Sequence, residues 1–174
     1  MSGEASCTTA QTPSEETQNY TTGLGKYASD YYHASKFVYT GTTDKGICAI
    51  DIWGAEVGDV AARTVDIAIR GDDSGEDDPD DTIYSYTATL GAAALFPAVG
   101  DWVGYQDMTV NTNLTNGNTY WIVAHMSTVN STNYVQLGAD SSCTTEVVVR
   151  DADGTGEWSA LHTDRCLMFK IRSQ

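Results

Sequence analysis

Residues 62–70 read Ala-Arg-Thr-Val-Asp-Ile-Ala-Ile-Arg, and this stretch decides the fold class. Apolar side chains occupy every second position, at Val65, Ile67 and Ile69. The positions between and beside them carry small or polar side chains: Thr64, Asp66, Ala68 and Arg70. Because successive side chains of a β-strand point to opposite faces, this alternation predicts a strand with one buried face.

The same two-residue period recurs along most of the chain. Eight further runs show it: Lys36–Thr40, Ile47–Trp53, Thr82–Leu90, Trp102–Val110, Thr119–Met126, Tyr134–Leu137, Glu146–Arg150 and Cys166–Ile171. Turn-forming clusters rich in Gly, Asn and Asp separate them, and Leu90–Val99 is interpreted as a crossover loop because Pro97 ends any helical turn. About nine short strands at this spacing predict an all-β fold, an antiparallel sandwich of two sheets. The expected interior residues are Val65, Ile67, Ile69, Ile122 and Phe169.

The first 33 residues have a different composition. Residues 1–33 are rich in Ser, Thr, Gln and Glu and poor in aliphatic side chains, so they cannot form a core of their own. We predict an extended N-terminal arm over 1–33 and the sandwich over 34–174. The arm is expected to dock on a neighbouring surface through its tyrosines, with a flexible tail as the alternative. The candidate partner-binding residues are Tyr20, Tyr27, Tyr31 and Tyr32.

Composition narrows the classes of partner. The 174 residues suit one domain, and 24 Asp and Glu against 9 Lys and Arg give a formal charge of -15. A chain this acidic is repelled by phosphate backbones and anionic lipid, so neither nucleic acid nor membrane is an expected partner. No apolar run in the sequence is long enough to predict a membrane-spanning helix. The polar start of the chain does not resemble a secretory leader.

Four cysteines are widely spaced and form no C-x-x-C pair, which argues against a cysteine metal site. Cys48 and Cys166 are interpreted as small apolar side chains within strands. A disulfide that fastens the N-terminal segment, such as Cys7 to Cys143, is the alternative.

Two acidic stretches are candidate cation sites. Residues 72–81 contain seven acids in ten positions, without the ligand spacing of a calcium loop, and are interpreted as a solvated hairpin tip. The second stretch alternates acids with glycine and comes closer to a calcium loop. Its candidate ligands are Asp151, Asp153 and Glu157. No cofactor is expected, and calcium is the alternative.

No pattern in the sequence marks an active site. His33, His125 and His162 are scattered, and no nucleophile motif occurs, so the protein is predicted not to be an enzyme. His125 is interpreted as a partly buried strand residue. Trp102 and Trp121 lie in apolar runs and are expected in the core. Trp158, in a glycine-rich turn, is the candidate for ligand contact, because an exposed indole can stack on a sugar ring.

The order of the strand motifs resembles a known family. The motifs are Lys36-Phe-Val-Tyr-Thr-Gly41, Ile47-Cys-Ala-Ile-Asp-Ile-Trp53, Val65-Asp-Ile-Ala-Ile-Arg70, Trp102-Val-Gly-Tyr105, Leu114-Thr-Asn-Gly-Asn-Thr-Tyr-Trp-Ile-Val123, Asp153-Gly-Thr-Gly-Glu-Trp158 and Leu167-Met-Phe-Lys-Ile171. Over about residues 35–172 the chain resembles jelly-roll sandwiches of the choice-of-anchor type. The resemblance implies a jelly roll, an occurrence in phage virion proteins or bacterial surface proteins, an architecture similar to carbohydrate-binding modules, and no catalytic residues.

These observations favour a non-enzymatic phage virion protein. The expected role is capsid decoration, or a head or tail fibre module, on the outer surface of a virion made in the host cytoplasm. Its expected partners are a major capsid or tail protein and further copies of itself, because repeated contacts in a symmetric shell add avidity. A carbohydrate-binding module, with calcium as a candidate ligand-bridging ion, is the alternative function.

Overall fold

The protein is all-β over the part of the chain that the structure describes. The computed structural model describes residues 8–11, 20–27, 31–41, 47–60, 64–76, 78–87, 90–91, 96–105, 108–111, 113–128, 130–141, 148–151, 158–162 and 165–173. No residue in these ranges is helical. The predicted fold class, an antiparallel sandwich of two sheets, is confirmed.

Within the described ranges, fifteen strands follow one another. They are β1 Thr8–Gln11, β2 Tyr20–Leu24, β3 Tyr32–Val38, β4 Ile47–Val57, β5 Thr64–Asp73, β6 Asp78–Thr87, β7 Leu90–Gly91, β8 Asp101–Tyr105, β9 Met108–Asn111, β10 Thr119–Met126, β11 Tyr134–Asp140, β12 Val148–Asp151, β13 Ser159–His162, β14 Cys166–Leu167 and β15 Phe169–Ser173. The number exceeds the expected nine because short edge strands such as β1, β2 and β13 lack a strong alternation, and the run 102–110 divides into β8 and β9.

The strands form two antiparallel sheets. The first sheet has seven strands in the order β1-β15-β4-β11-β14, with β2 also on β11 and β8 also on β4. The second sheet has eight strands in the order β13-β12-β3-β10-β5-β6-β9, with β7 also on β5. The chain passes from the second sheet to the first between β7 and β8. This agrees with the crossover predicted over 90–99, except that residues 90 and 91 form β7.

One hydrophobic core lies between the sheets. The first sheet contributes side chains such as Ile50, Ile52 and Ile171, and all five residues predicted for the interior are fully buried. The Phe37 ring of the second sheet lies 5.1 Å, centroid to centroid, from the Phe169 ring of the first. The alternating pattern therefore identified correctly which phase of each strand faces inward.

Trp102 was predicted to lie in the core, and this prediction is wrong. It is half-buried on the outward phase of β8, with the Lys170 ammonium 4.0 Å from its ring centroid, while its neighbour Val103 points inward. Trp121 is fully buried but lies outside the main core, in a smaller cluster with Ala34, Ala68 and Val123. Both indoles therefore lie on outward faces, which a hydrophobic run cannot distinguish from burial between the sheets.

Two segments of the predicted arm belong to the sandwich. β1 pairs with β15 and β2 pairs with β11, both antiparallel. The predicted boundary at residue 33 also falls within a strand, because β3 begins at Tyr32. These segments contribute few aliphatic side chains but satisfy their backbone groups in the ladder of the first sheet. A separate extended arm therefore does not describe residues 8–11, 20–24 or 32–33.

The cysteine interpretation is wrong for Cys48 and Cys166, because both are disulfide-bonded. They are not bonded to each other. The Cys48 Sγ lies 3.3 Å from the carbonyl oxygen of Arg172, whereas Cys166 precedes Arg172 by six residues of near-extended chain. At about 3.3 Å per residue this is a separation of roughly 20 Å. The alternative, a bond between Cys7 and Cys143, falls on residues outside the described part of the chain.

The acidic stretch 72–81 forms the hairpin between β5 and β6, as predicted. Asp73 pairs with Asp78 across the turn, and residues 73–76 are exposed. The Asp73 carboxylate accepts a hydrogen bond from the Gly75 amide at 3.0 Å, and the Asp73 carbonyl accepts one from the Glu76 amide at 3.1 Å. The carboxylate of Asp73 therefore supports the turn itself.

The phase of β5 can be tested by two substitutions of the same chemistry. We expect Ile67→Ala to lower the free energy of unfolding by about 2–5 kcal/mol, because it leaves a cavity in the closed core. Ile83→Ala is the matched control, since Ile83 is 41% exposed on β6, and it should cost less than about 1 kcal/mol. Urea unfolding monitored by tryptophan fluorescence measures both. Equal losses for the two variants would contradict the inward phase assigned to β5.

The disulfides of Cys48 and Cys166 can be tested chemically. Peptide mapping without reduction should recover each of the two cysteines in a disulfide-linked peptide. Reduction should lower the melting temperature, since losing a native disulfide costs about 2–5 kcal/mol. Alkylation of Cys48 or Cys166 in the unreduced protein would contradict this prediction.

Candidate ligand-binding site

The outward face of the second sheet brings distant parts of the sequence into three rows. We call this surface the outer face. The first row is Tyr32 on β3, His125 on β10 and Asp66 on β5. The second row is Ala34, Val123 and Ala68 on the same strands. The third row is Lys36, Trp121 and Arg70, continued by Ile83 on β6.

The pleat of each strand explains this arrangement. On β10, the side chains of Tyr120, Ile122 and Ala124 enter the main core, so Trp121, Val123 and His125 must point outward. The antiparallel register then aligns the outward residues of β3, β10 and β5 across the sheet. The middle row consists of small side chains, and the rows beside it consist of large ones. The outer face is therefore indented along its middle row.

A cavity of about 370 Å³ occupies this indentation. Its lining consists of Tyr32, Asp66, Ala68, Arg70, Ile83, Val123 and His125. Ala68 and Val123 form the floor, and both are almost completely buried. Asp66 and Arg70 are four residues apart on β5, so their Cα atoms lie about 13 Å apart on opposite sides of the floor. The cavity thus has an apolar base between two walls that carry charge.

Aromatic rings build the wall on the Tyr32 side. The Tyr32 ring stacks on the His125 imidazole, with centroids 4.2 Å apart and an angle of 19° between the planes. The edge-on indole of Trp158 lies 6.4 Å from the Tyr32 ring. Trp158 and Tyr32 both pack against the cluster of Ala34, Ala68, Trp121 and Val123. These contacts hold the rings in fixed positions before any ligand arrives.

Hydrogen bonds orient two of the polar groups on the outer face. The His125 Nδ1 donates to the Asp66 Oδ2 at 3.1 Å, because an ionised carboxylate can only accept. Both side chains are partly buried, with 26% of His125 and 13% of Asp66 exposed. The Trp121 indole Nε1 donates to the Asp72 Oδ1 at 2.7 Å. The imidazole is thus fixed by a hydrogen bond on its edge and by Tyr32 on its face.

Two donors on this side of the sheet have no hydrogen-bond acceptor within the described part of the chain. They are the Arg70 Nε and the Trp158 Nε1, and both atoms are buried. A buried N–H without an acceptor costs free energy, so such groups often mark a place where a ligand or water supplies the acceptor. The Arg70 Nη1 lies 4.0 Å from the Asp81 carboxylate, whose side chain is fully exposed. A pair with such an exposed partner contributes little.

The structure separates the four tyrosines proposed for partner binding. Tyr20 and Tyr27 are exposed, at 41% and 55%, near β2 of the first sheet. The Arg165 guanidinium lies 3.7 Å from the centroid of the Tyr20 ring, and a hydrogen bond with Tyr27 and the nearby Tyr134 raise the pKa of Lys26. Tyr31 and Tyr32 are half-buried, and Tyr32 belongs to the cavity. Of these four tyrosines, Tyr32 is the one that lines the cavity.

The candidate metal ligands lie mostly outside the described part of the chain. Asp151 ends β12, where its backbone pairs with Tyr32, and Asp153 and Glu157 lie outside the described residues. Within the described ranges, no group of three or more His, Cys, Asp or Glu side chains is arranged to hold a metal ion.

No helix within the described residues is long and apolar enough to cross a membrane.

Comparison with models of protein families and with curated proteins gives no match to this chain. The site is therefore described by its own residues. Sequence reasoning had singled out Tyr32 as part of an arm and Trp158 as a ligand contact, and the structure places these two rings side by side. It did not identify Asp66 and Arg70 as site residues. Their signal was present in the outward phase of β5, which carries polar, small and charged side chains in turn.

Proposed function

We propose that this protein is a non-enzymatic carbohydrate-binding module that takes its ligand in the cavity of the outer face. The observation that carries the proposal is the combination of an apolar floor, an aromatic wall and polar groups at both ends, in a cavity of about 370 Å³. A cavity of this kind, apolar with a few convergent polar groups, is the usual form of a small-molecule site.

A sugar ring suits this lining for a chemical reason. One face of a pyranose presents C–H groups, which pack favourably on apolar and aromatic surfaces such as Val123 and Tyr32. Its rim presents hydroxyls, which donate to a carboxylate and accept from a guanidinium. Asp66 and Arg70 provide one group of each kind on opposite sides of the floor. The geometry therefore supports a ligand that is polar at its edges and apolar in between.

The lining favours binding without turnover. Glycoside hydrolysis commonly needs two carboxyl groups on opposite sides of the scissile bond. Asp66 is the one carboxylate among the seven lining residues, and none of the seven carries an aliphatic hydroxyl or a thiol that could act as a nucleophile. The hydrogen bond between Asp66 and His125 then serves to orient the side chains.

The disulfides at Cys48 and Cys166 support an extracellular role. Structural disulfides form and persist in oxidising surroundings, where free glycans and cell-surface polysaccharides are also met. The resemblance of the strand motifs to choice-of-anchor sandwiches of surface proteins points in the same direction.

The carbohydrate proposal can be tested by filling the cavity. Ala68→Leu adds three carbons to its floor, and Ala98→Leu makes the same change at an exposed position. On an array of neutral and acidic glycans, we expect the wild type and the control A98L to bind with similar affinity. A68L should lose at least about tenfold in affinity, or about 1.4 kcal/mol. Thermal melts check that A68L is folded. Glycan binding that A68L retains, or no glycan binding by the wild type, would contradict the proposal.

A phage virion structural protein is a second candidate, favoured by a different surface. Within the described residues β2 pairs on one side with β11, and Tyr20 and Tyr27 are exposed beside it. An edge strand with exposed aromatic side chains suits pairing with another copy or with a capsid or tail protein. Decoration of the outer virion surface also agrees with a charge of -15, which keeps the protein away from packaged DNA.

Assembly through this edge predicts a concentration-dependent oligomer. Sedimentation velocity should show the wild type above monomer mass, and the double variant Tyr20→Ser and Tyr27→Ser should shift toward monomer, since each buried tyrosine can contribute about 1–3 kcal/mol. Val99→Ser is the control, because Val99 is 83% exposed elsewhere. A wild type that stays monomeric at every concentration would contradict self-assembly.

A further inference from the structure

The cavity contains one permanently charged cation, Arg70. Its side chain is 22% exposed, and it lines the cavity from β5. Within the described residues its Nε has no acceptor, and its Nη1 has only the distant pair with the exposed Asp81. A guanidinium presents five N–H donors in a planar fork, which matches the two oxygens of a carboxylate. Arg70 therefore has donors available for a ligand.

The carboxylate on the other side of the floor does not neutralise this cation. Asp66 accepts the hydrogen bond of the His125 Nδ1 at 3.1 Å. Its Cα lies about 13 Å from that of Arg70, because the two residues are four positions apart on one strand. The Arg70 end of the cavity therefore carries a cation that Asp66 does not pair, although the chain as a whole is negative.

The unmatched groups in this region are two donors and one acceptor, the Asp66 Oδ1 on the other side of the floor. The Trp158 Nε1 is, like the Arg70 Nε, a buried N–H without an acceptor in the described part of the chain. A ligand that complements the site should therefore supply acceptors at the Arg70 end and a donor to Asp66. A neutral sugar hydroxyl accepts one hydrogen bond in such a place, whereas a carboxylate accepts two parallel charge-assisted ones, which are roughly twice as strong.

On the basis of the proposed carbohydrate function, we propose that the ligand is an acidic sugar, a uronate whose carboxylate binds the Arg70 guanidinium. The pyranose ring then lies over Ala68 and Val123, and its remaining hydroxyls face Asp66 and His125. The net charge of -15 does not prevent this. At physiological ionic strength charges more than about 8 Å away through solvent are largely screened, while a contact in a half-buried cavity is screened much less.

The test uses matched pairs of acidic and neutral oligosaccharides. Short oligomers of galacturonate, glucuronate and mannuronate are titrated calorimetrically beside the neutral oligomers of galactose, glucose and mannose with the same linkage. The variants are Arg70→Gln, which keeps a polar side chain but loses the charge and the fork, and Arg70→Lys, which keeps the charge but loses the fork. Lys36→Gln removes a cation of the same outer face whose ammonium lies over the Trp121 ring, 5.8 Å from its centroid, outside the cavity lining.

We expect the wild type to bind at least one uronate about 10- to 100-fold more tightly than its neutral counterpart, the range that charge-assisted hydrogen bonds supply. R70Q should abolish the preference, R70K should retain part of it, and K36Q should leave it unchanged. Equal binding of the acidic and neutral members, or a preference that survives R70Q, overturns the uronate assignment while the carbohydrate function stands. Failure of all oligomers to bind, together with an empty glycan array, overturns both.

Discussion

The alternation of side chains along β5, β10 and β3 is the constraint on which the rest of the structure depends. The residues at one phase, Ile67 and Ile122 among them, close the core between the sheets. The residues at the other phase, such as Arg70 and His125, form the outer face. A slip of one residue in the register of β5 would put a carboxylate and a guanidinium into the core and expose three apolar side chains. Such a slip would change the core and the site at once, so the same register specifies both.

Two features besides the hydrophobic core stabilise the first sheet: the backbone pairing of β1 and β2, and the disulfide bonds of Cys48 and Cys166. β1 and β2 come from a segment poor in aliphatic residues, yet both extend the first sheet. Their pairing satisfies backbone groups in the ladder of the first sheet, and Leu24 of β2 also enters the main core. The disulfide-bonded Cys48 and Cys166 lie on strands of the same sheet. A disulfide reduces the number of conformations open to the unfolded chain and thereby stabilises the folded sheet.

The outer face has a cavity because its middle row is small. Ala34, Ala68 and Val123 leave room that larger side chains would fill, and the rings of Tyr32 and Trp158 stand beside that room without closing it. The same side chains that limit the packing of this face thereby give it a cavity. The hydrogen bond between His125 and Asp66 restrains one wall, so a ligand meets groups that are already oriented.

The two-residue period and the turn residues predicted the fold class, the inward phase of the central strands and the acidic hairpin, because both signals act locally. The sequence also singled out Tyr32 and Trp158, but for separate reasons. Strand pairing was needed to show that these rings meet, that Asp66 and Arg70 line one cavity, that β1 and β2 join the first sheet, and that Cys48 and Cys166 are each disulfide-bonded. Each of these depends on which strands lie side by side, and residues more than 30 positions apart become neighbours through a register that no local pattern specifies.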